Sequence, residues 1–290
     1  MRGDILKKKL MVLCAVAIMI STCLTGCKMN SGKIRFGSAG IGGTYQIFGD
    51  TFANLISSKS KKYNIEVKTT AGSAANLRLL SKDYIQMAVA QMDLINDAYN
   101  RTGIFENDKK YQGYRAVASL YTEACQIVVP ADSDIQSMDD LEGKKVCIGE
   151  EESGTEQNAL QILNAYGLNE RLVDTVNLNY TDAAKKLKSG DIDAFFCTAG
   201  VQTTVINELS KQCKIRLVSL DQKGVSRLKK SYKFYTEYTI PAGTYVNQTK
   251  EIKTVGVKAV LLASDKLSED TVKDLSLIHI SEPTRRRGIS

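Results

Sequence analysis

Histidine occurs once in this 290-residue chain, at His279, and tryptophan does not occur. A Ser-His or Cys-His nucleophile pair needs an imidazole beside the nucleophile, and a histidine metal centre needs more than one, so both chemistries are excluded. Cysteine is present, but no two of the seven stand in Cys-x-x-Cys spacing, which removes the usual thiolate metal signature. The glycine-dense turn at 37–43 is not followed by Gly-Lys-Ser or Gly-Lys-Thr and lacks the Gly-x-Gly-x-x-Gly spacing, so it carries neither nucleotide fingerprint. What remains for catalysis is a carboxylate pair such as Glu151 and Glu152, and sequence neighbours of that kind ordinarily form a solvated face. No enzyme, no cofactor and no metal site are expected.

Net charge is also smaller than it looks. Of the formal +7, Arg2 and Lys7, Lys8 and Lys9 against Asp4 account for +3, and three arginines against Glu282 for +2, which leaves +2 for residues 27–274. That balance gives no reason to expect a nucleic-acid partner. A hydrophobic content of 43% is ordinary for a globular protein, and the length suits two medium lobes better than a single core.

The ends read differently from the middle. Lys7-Lys8-Lys9 precedes an apolar segment at 10–20 that is too short and too soon interrupted for a comfortable membrane span, so residues 1–26 read as a secretion signal. Leu24-Thr25-Gly26-Cys27 resembles a bacterial lipobox, with Cys27 the lipidated residue and 27–33 a tether; two or more acyl chains give stable anchoring. The folded part is therefore expected outside the cytoplasmic membrane. Residues 275–290, with Leu275-Ser276-Leu277-Ile278-His279-Ile280-Ser281-Glu282-Pro283-Thr284-Arg285, look like a translated sequencing adapter, so native sequence is expected to stop near Asp274. After Cys14, Cys23 and Cys27, four cysteines remain: Cys125, Cys147, Cys197 and Cys213. Three lie in or beside apolar runs and read as small buried hydrophobes; the alternative is a disulfide such as Cys125 with Cys147.

Between the ends, strand-like apolar runs alternate with helical patterns. Runs at 34–38, 65–69 and 85–90 are each followed by a helical pattern, beginning near Thr44, Ala74 and Asp93. After 114–121 the alternation restarts with runs at 126–129, 145–148, 173–178 and 194–197, with helices from Thr155 and Asp182. Repeated β-α-β units predict parallel-type sheet covered on both faces, here in two successive α/β lobes: 34–122 and 123–235. Runs at 234–240 and 254–263 are strand-like, and 236–274 reads as a return to the first lobe.

Open α/β sheets bind ligands beyond the carboxyl ends of their strands. Four loops in that position carry small and hydroxyl residues: Gly42-Gly43-Thr44-Tyr45, Thr70-Ala71-Gly72-Ser73 with Asn76, Glu152-Ser153-Gly154-Thr155-Glu156, and Thr198-Ala199-Gly200-Val201-Gln202. Ser73 is placed to cap the helix that follows it. None of the four contains Lys or Arg. Each alone could be simple helix capping; four in equivalent places predict a pocket in which a small anion is held by neutral donors and helix N-termini.

These loops, in this order, resemble the TAXI family of solute-binding proteins that serve tripartite ATP-independent periplasmic (TRAP) transporters. The resemblance spans about 34–274. It rests on Gly-Gly-Thr-Tyr at 42–45, Thr-Ala-Gly-Ser-x-x-Asn at 70–76, Ser-Leu-Tyr-x-Glu at 119–123, Asp-Leu-x-Gly-Lys at 140–144, Ser-Gly-Thr-Glu at 153–156, Gly-Asp-Ile-Asp-Ala at 190–194 and Ile-Pro-Ala-Gly-Thr-Tyr at 240–245. It implies a two-lobed α/β periplasmic-binding-protein-like fold of type II, joined by a hinge, and monomeric. Its lobes would close on a small carboxylate, such as glutamate, glutamine or 2-oxoglutarate, and pass it to a TRAP permease. Thr44, Tyr45, Gly72, Ser73, Asn76, Ser153, Gly154 and Thr155 match the family's ligand loops, and Ala199 joins them as a pocket wall. Segments 121–124 and 235–241 would be the crossovers and hinge. Glu151-Glu152 departs from the family's small residues before Ser-Gly-Thr. A surface sensor and the binding protein of an ATP-driven importer are the competing readings.

Overall fold

The computed structural model describes residues 33–108, 110–169 and 171–280. The expected secretion signal, the expected lipidation site at Cys27 with the tether through 32, and residues 281–290 lie outside the described residues.

The first third of the body alternates strands and helices as the sequence pattern predicts. β1 (Lys33–Gly37), β2 (Asn64–Lys68) and β3 (Met87–Gln91) are followed by α1 (Thr44–Lys59), α2 (Ser73–Ser81) and α3 (Met92–Asn100). β3 is buried along its whole length, which is why it reads as an unbroken apolar run rather than an alternating one. The next strand departs from the pattern. Runs 114–121 and 126–129 are one 17-residue strand, β4 (Tyr114–Pro130), whose first half is largely open to solvent and whose second half is buried. The polar Thr122-Glu123 pair between the two runs does not break the strand.

The second group follows: β5 (Lys145–Gly149), α4 (Gly154–Ala165), β6 (Asp174–Asn177), α5 (Tyr180–Ser189), β7 (Ala194–Ala199), α6 (Thr204–Gln212), β8 (Ile215–Leu217) and α7 (Gln222–Ser231). β9 (Thr236–Ile240), β10 (Ile252–Ser264) and α8 (Glu269–Ile280) complete the described body.

The strands form a single sheet in the order β2-β1-β3-β10-β4-β7-β5-β6, with β8 on β4 and β9 on β10. β1 with β3, β5 with β6 and β5 with β7 are parallel pairs, as β-α-β units require. The two long strands at the centre are antiparallel to each other and to their neighbours, so the sheet is mixed rather than purely parallel. Both faces are covered, and successive residues point to opposite sides. Met87 and Val89 join one core while Ala88 and Ala90 join another, and in the second half Ile127 and Val128 divide in the same way.

Two cores belong to each half of the sheet. Residues 34–121 share theirs with the end of β10 from Ala259 and with Leu275 of α8. Residues 124–257 fill the other two, including Tyr235, Ile240, Tyr245, Val255 and Val257. The chain therefore returns to the first half within β10, at 256–259, later than the expected return at 236. The second crossover shifts with it. Segment 235–241 is an edge strand paired to β10 inside the second half, whereas β4 and β10 cross side by side, with Glu123 opposite Val257 and Ala124 opposite Gly256. Cys125, Cys147, Cys197 and Cys213 are all free, and the first three are buried; Cys125 and Cys147 lie in different cores, which rules out their disulfide.

Candidate functional site

Each of the four glycine- and hydroxyl-bearing loops follows a strand and leads into a helix, so each delivers a first helical turn to the same edge of the sheet. The first loop joins β1 to α1 and the second β2 to α2; the third enters α4 from β5 and the fourth enters α6 from β7. They meet over the β4–β10 crossing and enclose a narrow cleft with about 40 Å³ of free space. Its wall contains Thr44, Tyr45, Gly72, Ser73, Ser153, Gly154, Thr155 and Ala199, which are eight of the nine ligand positions read from sequence.

The ninth, Asn76, is not in that wall. It is fully buried, and its amide donates to the carbonyls of Ser38 at 2.7 Å and Val89 at 2.9 Å while Thr70 donates to its Oδ1 at 2.8 Å. Asn76 ties the first two loops to β3, so it shapes the cleft from behind.

Ser73 also differs from expectation. The cap of α2 is Gly72, at φ +129°, a backbone geometry that strains any side chain, and Ser73 is the first helical residue. Freed from capping, Ser73 Oγ accepts from the Gln91 backbone N–H at 3.1 Å and lies 3.4 Å from the Tyr45 hydroxyl. Ser153 does cap its helix, accepting from the Glu156 N–H at 3.0 Å. Thr155 Oγ1 sits 2.6 Å from the Tyr180 hydroxyl and accepts from the Thr198 N–H at 3.2 Å, which binds α4, α5 and β7 together within the wall, all three residues lining the cleft.

The two halves are closed on one another. Gly200 N–H donates to Thr44 Oγ1 at 3.1 Å, and Ala75 N–H to the Glu152 carbonyl at 3.3 Å. Arg78 on α2 pairs with Glu152 across the gap and with Asp108 at 3.0 Å within its own half. This accounts for the unusual Glu151-Glu152 sequence: Glu151 is exposed, Glu152 is engaged by Arg78, and neither lines the cleft. Gly154 packs closely against the other half, since a Cβ at this position would overlap the Gln91 side-chain amide.

Sequence reasoning missed the charge on the cleft. Glu123, at the β4 crossing, lines it at 2% exposure, and its Oε2 accepts from the Tyr45 hydroxyl at 2.7 Å. Burial raises its pKa to about 8, against the smaller opposing effect of hydrogen bonds from Tyr45 and Gln91. Tyr45 is pushed well above the usual tyrosine range, first by burial and then by Glu123. Glu150 also lines the cleft and is raised by burial. No Lys, Arg or His stands among the lining residues. Just behind, Asp93 in the first turn of α3 bridges the halves, accepting from Asn158 at 3.1 Å, and burial raises it to about 6. The available signal was a lone Glu at the junction of two apolar runs, inside the quoted motif at 119–123.

A family model described as NMT1-like family matches residues 36–278. The chain belongs to the NMT1-like family. Solved structures extend the likeness to fold. The alkanesulfonate-binding protein SsuA from Xanthomonas axonopodis pv. citri, bound to MOPS, is 15% identical with a TM-score of 0.50, over 86% of this chain and 70% of that one. The ligand-binding component of an ABC-type import system from Staphylococcus aureus is 12% identical at a TM-score of 0.51, over 86% and 71% of the two chains. The effector-binding domain of QuiR, in complex with shikimate, is 10% identical with a TM-score of 0.52, over 86% and 97%. The fold of this NMT1-like chain is that of type II periplasmic binding proteins, and helices of both halves face its cleft as that fold requires. No helix among the described residues is long and apolar enough to cross a membrane.

Proposed function

We propose that this chain is an extracytoplasmic, lipid-anchored binding protein that captures a small carboxylate solute and delivers it to a TRAP permease. The observation that carries this reading is the convergence of the α1, α2 and α4 N-termini on one closed cleft. First-turn N–H groups and the positive ends of three helix dipoles favour a negatively charged group there, each terminus contributing about 0.3–1 kcal/mol and about 2 when partly buried. Thr44, Tyr45 and Ser73 would hold the solute from one half, and Ser153, Gly154, Thr155 and Ala199 from the other, with Gly72 giving the α2 terminus its approach. Asn76 supports these residues without touching the solute. Cys27 would anchor the protein to the membrane surface beside the permease.

Calorimetric titration of the signal-free chain with glutamate, glutamine and C4 to C6 dicarboxylates tests solute capture; heat from none of them would defeat it. The competing reading, supply of an ABC importer, draws on the same fold in the Staphylococcus aureus protein. Reconstitution separates the two: delivery to a TRAP permease in vesicles proceeds without ATP, whereas an importer of the other kind needs it.

A further inference from the structure

The cleft wall holds two acceptors in place of a cation. Glu123 on β4 and Gln91 on β3 are each 2% exposed and stand on either side of β10, and the Gln91 amide reaches across to hydrogen-bond Glu123. Gln91 Oε1 has no hydrogen-bond partner although it is buried, which is costly unless a donor arrives. Helix N-termini on the surrounding loops supply donors for a carboxylate but nothing for these acceptors. A second carboxylate on the solute would meet Glu123 and Glu150 with no basic residue to offset them. A protonated amine would meet both needs, bringing N–H donors and a positive charge that offsets the effect of burial and favours the ionised form of Glu123 as the pair forms.

We propose that the cleft selects α-amino acids over the corresponding 2-oxo acids, with the solute ammonium seated on the Glu123 carboxylate and Gln91 Oε1 and its carboxylate toward the helix N-termini. The inference rests on the solute-capture reading above and narrows its ligand class. Buried hydrogen-bonding groups discriminate strongly against an analogue that leaves them unpaired.

The test is calorimetry on the full chain with matched pairs of one carbon skeleton: glutamate against 2-oxoglutarate, alanine against pyruvate, leucine against 4-methyl-2-oxopentanoate. For whichever skeleton binds, the amino acid is expected to bind at least 100-fold more tightly than its 2-oxo partner. Glu123→Gln should reduce that preference at least 30-fold, mainly by weakening the amino acid. A 2-oxo acid or dicarboxylate that binds as tightly as its amino partner overturns the ammonium assignment and leaves solute capture standing; no binding by any member overturns both. The wild-type comparison stands whether or not the variant folds.

Discussion

Glu123 and Asp93 are acids held where water scarcely reaches, and their titration should be visible in stability. An acid whose pKa is raised on folding favours the native state while it is protonated. Its contribution is complete below its unfolded value and is lost as pH rises through the folded one. For Asp93 that loss spans about pH 4 to 6, and for Glu123 it extends to about pH 8. Asp93→Asn should therefore flatten the decline of unfolding free energy between pH 4 and 6, gaining roughly 1–3 kcal/mol at pH 7 in urea titrations. Asn76 is expected to behave in the opposite way. Asn76→Ala removes the buried amide donor from the Ser38 and Val89 carbonyls, leaving Ser38 only its bond from the Thr70 hydroxyl, so it should lower stability by about 1–3 kcal/mol in the same assay. At this scale the sequence was readable wherever a loop residue faces outward from a helix start, as Thr44, Tyr45 and Gly154 do. It was unreadable where orientation depends on packing. Asn76 shares its loop with true wall residues yet turns inward, and Glu123 faces the cleft because β4 crosses there beside β10.

Helices and strands set how the halves meet. α2 begins one residue earlier than a Ser73 cap would place it, because the positive φ of Gly72 turns the chain sharply and leaves the hydroxyl of Ser73 for the β3 backbone. Propensity favours serine as a cap; the β2-to-α2 turn overrides it. α2 also carries Arg78, whose guanidinium lies 5.1 Å from the Phe105 ring centroid and reaches Glu152 at the start of α4. Both partners are partly exposed, so the pair is worth at most about 1 kcal/mol. Glu152→Ala should weaken solute binding up to about fivefold at low salt, and the difference should vanish near 1 M salt. A loss that persists at high salt would show that Glu152 acts through its backbone, at φ +63°, and not its charge. The merging of two apolar runs into β4 was the element least visible in the sequence: a strand with one wet and one dry half changes character midway, and that change mimics a boundary.

For the molecule as a whole, closure depends on how near the two halves can approach. Gly154 stands against the Gln91 amide with no room for a Cβ, so Gly154→Ala should hold the halves apart while each keeps its own cores. The expected result is at least a tenfold rise in Kd with an unchanged urea midpoint, and X-ray scattering in which ligand no longer reduces the radius of gyration. The two-part α/β architecture and the position of its cleft were legible from alternation and loop chemistry alone. The crossovers were not, because 235–241 and 252–258 have the same strand character and only pairing decides which of them bridges. That bridging strand has a consequence for biogenesis. β10 lies between β3 and β4 yet follows them by well over a hundred residues, so until it is made those two strands have nothing to join them. A ribosome or a translocon thus handles a chain whose first half cannot close early, and the polypeptide stays threadable until nearly all of it has emerged.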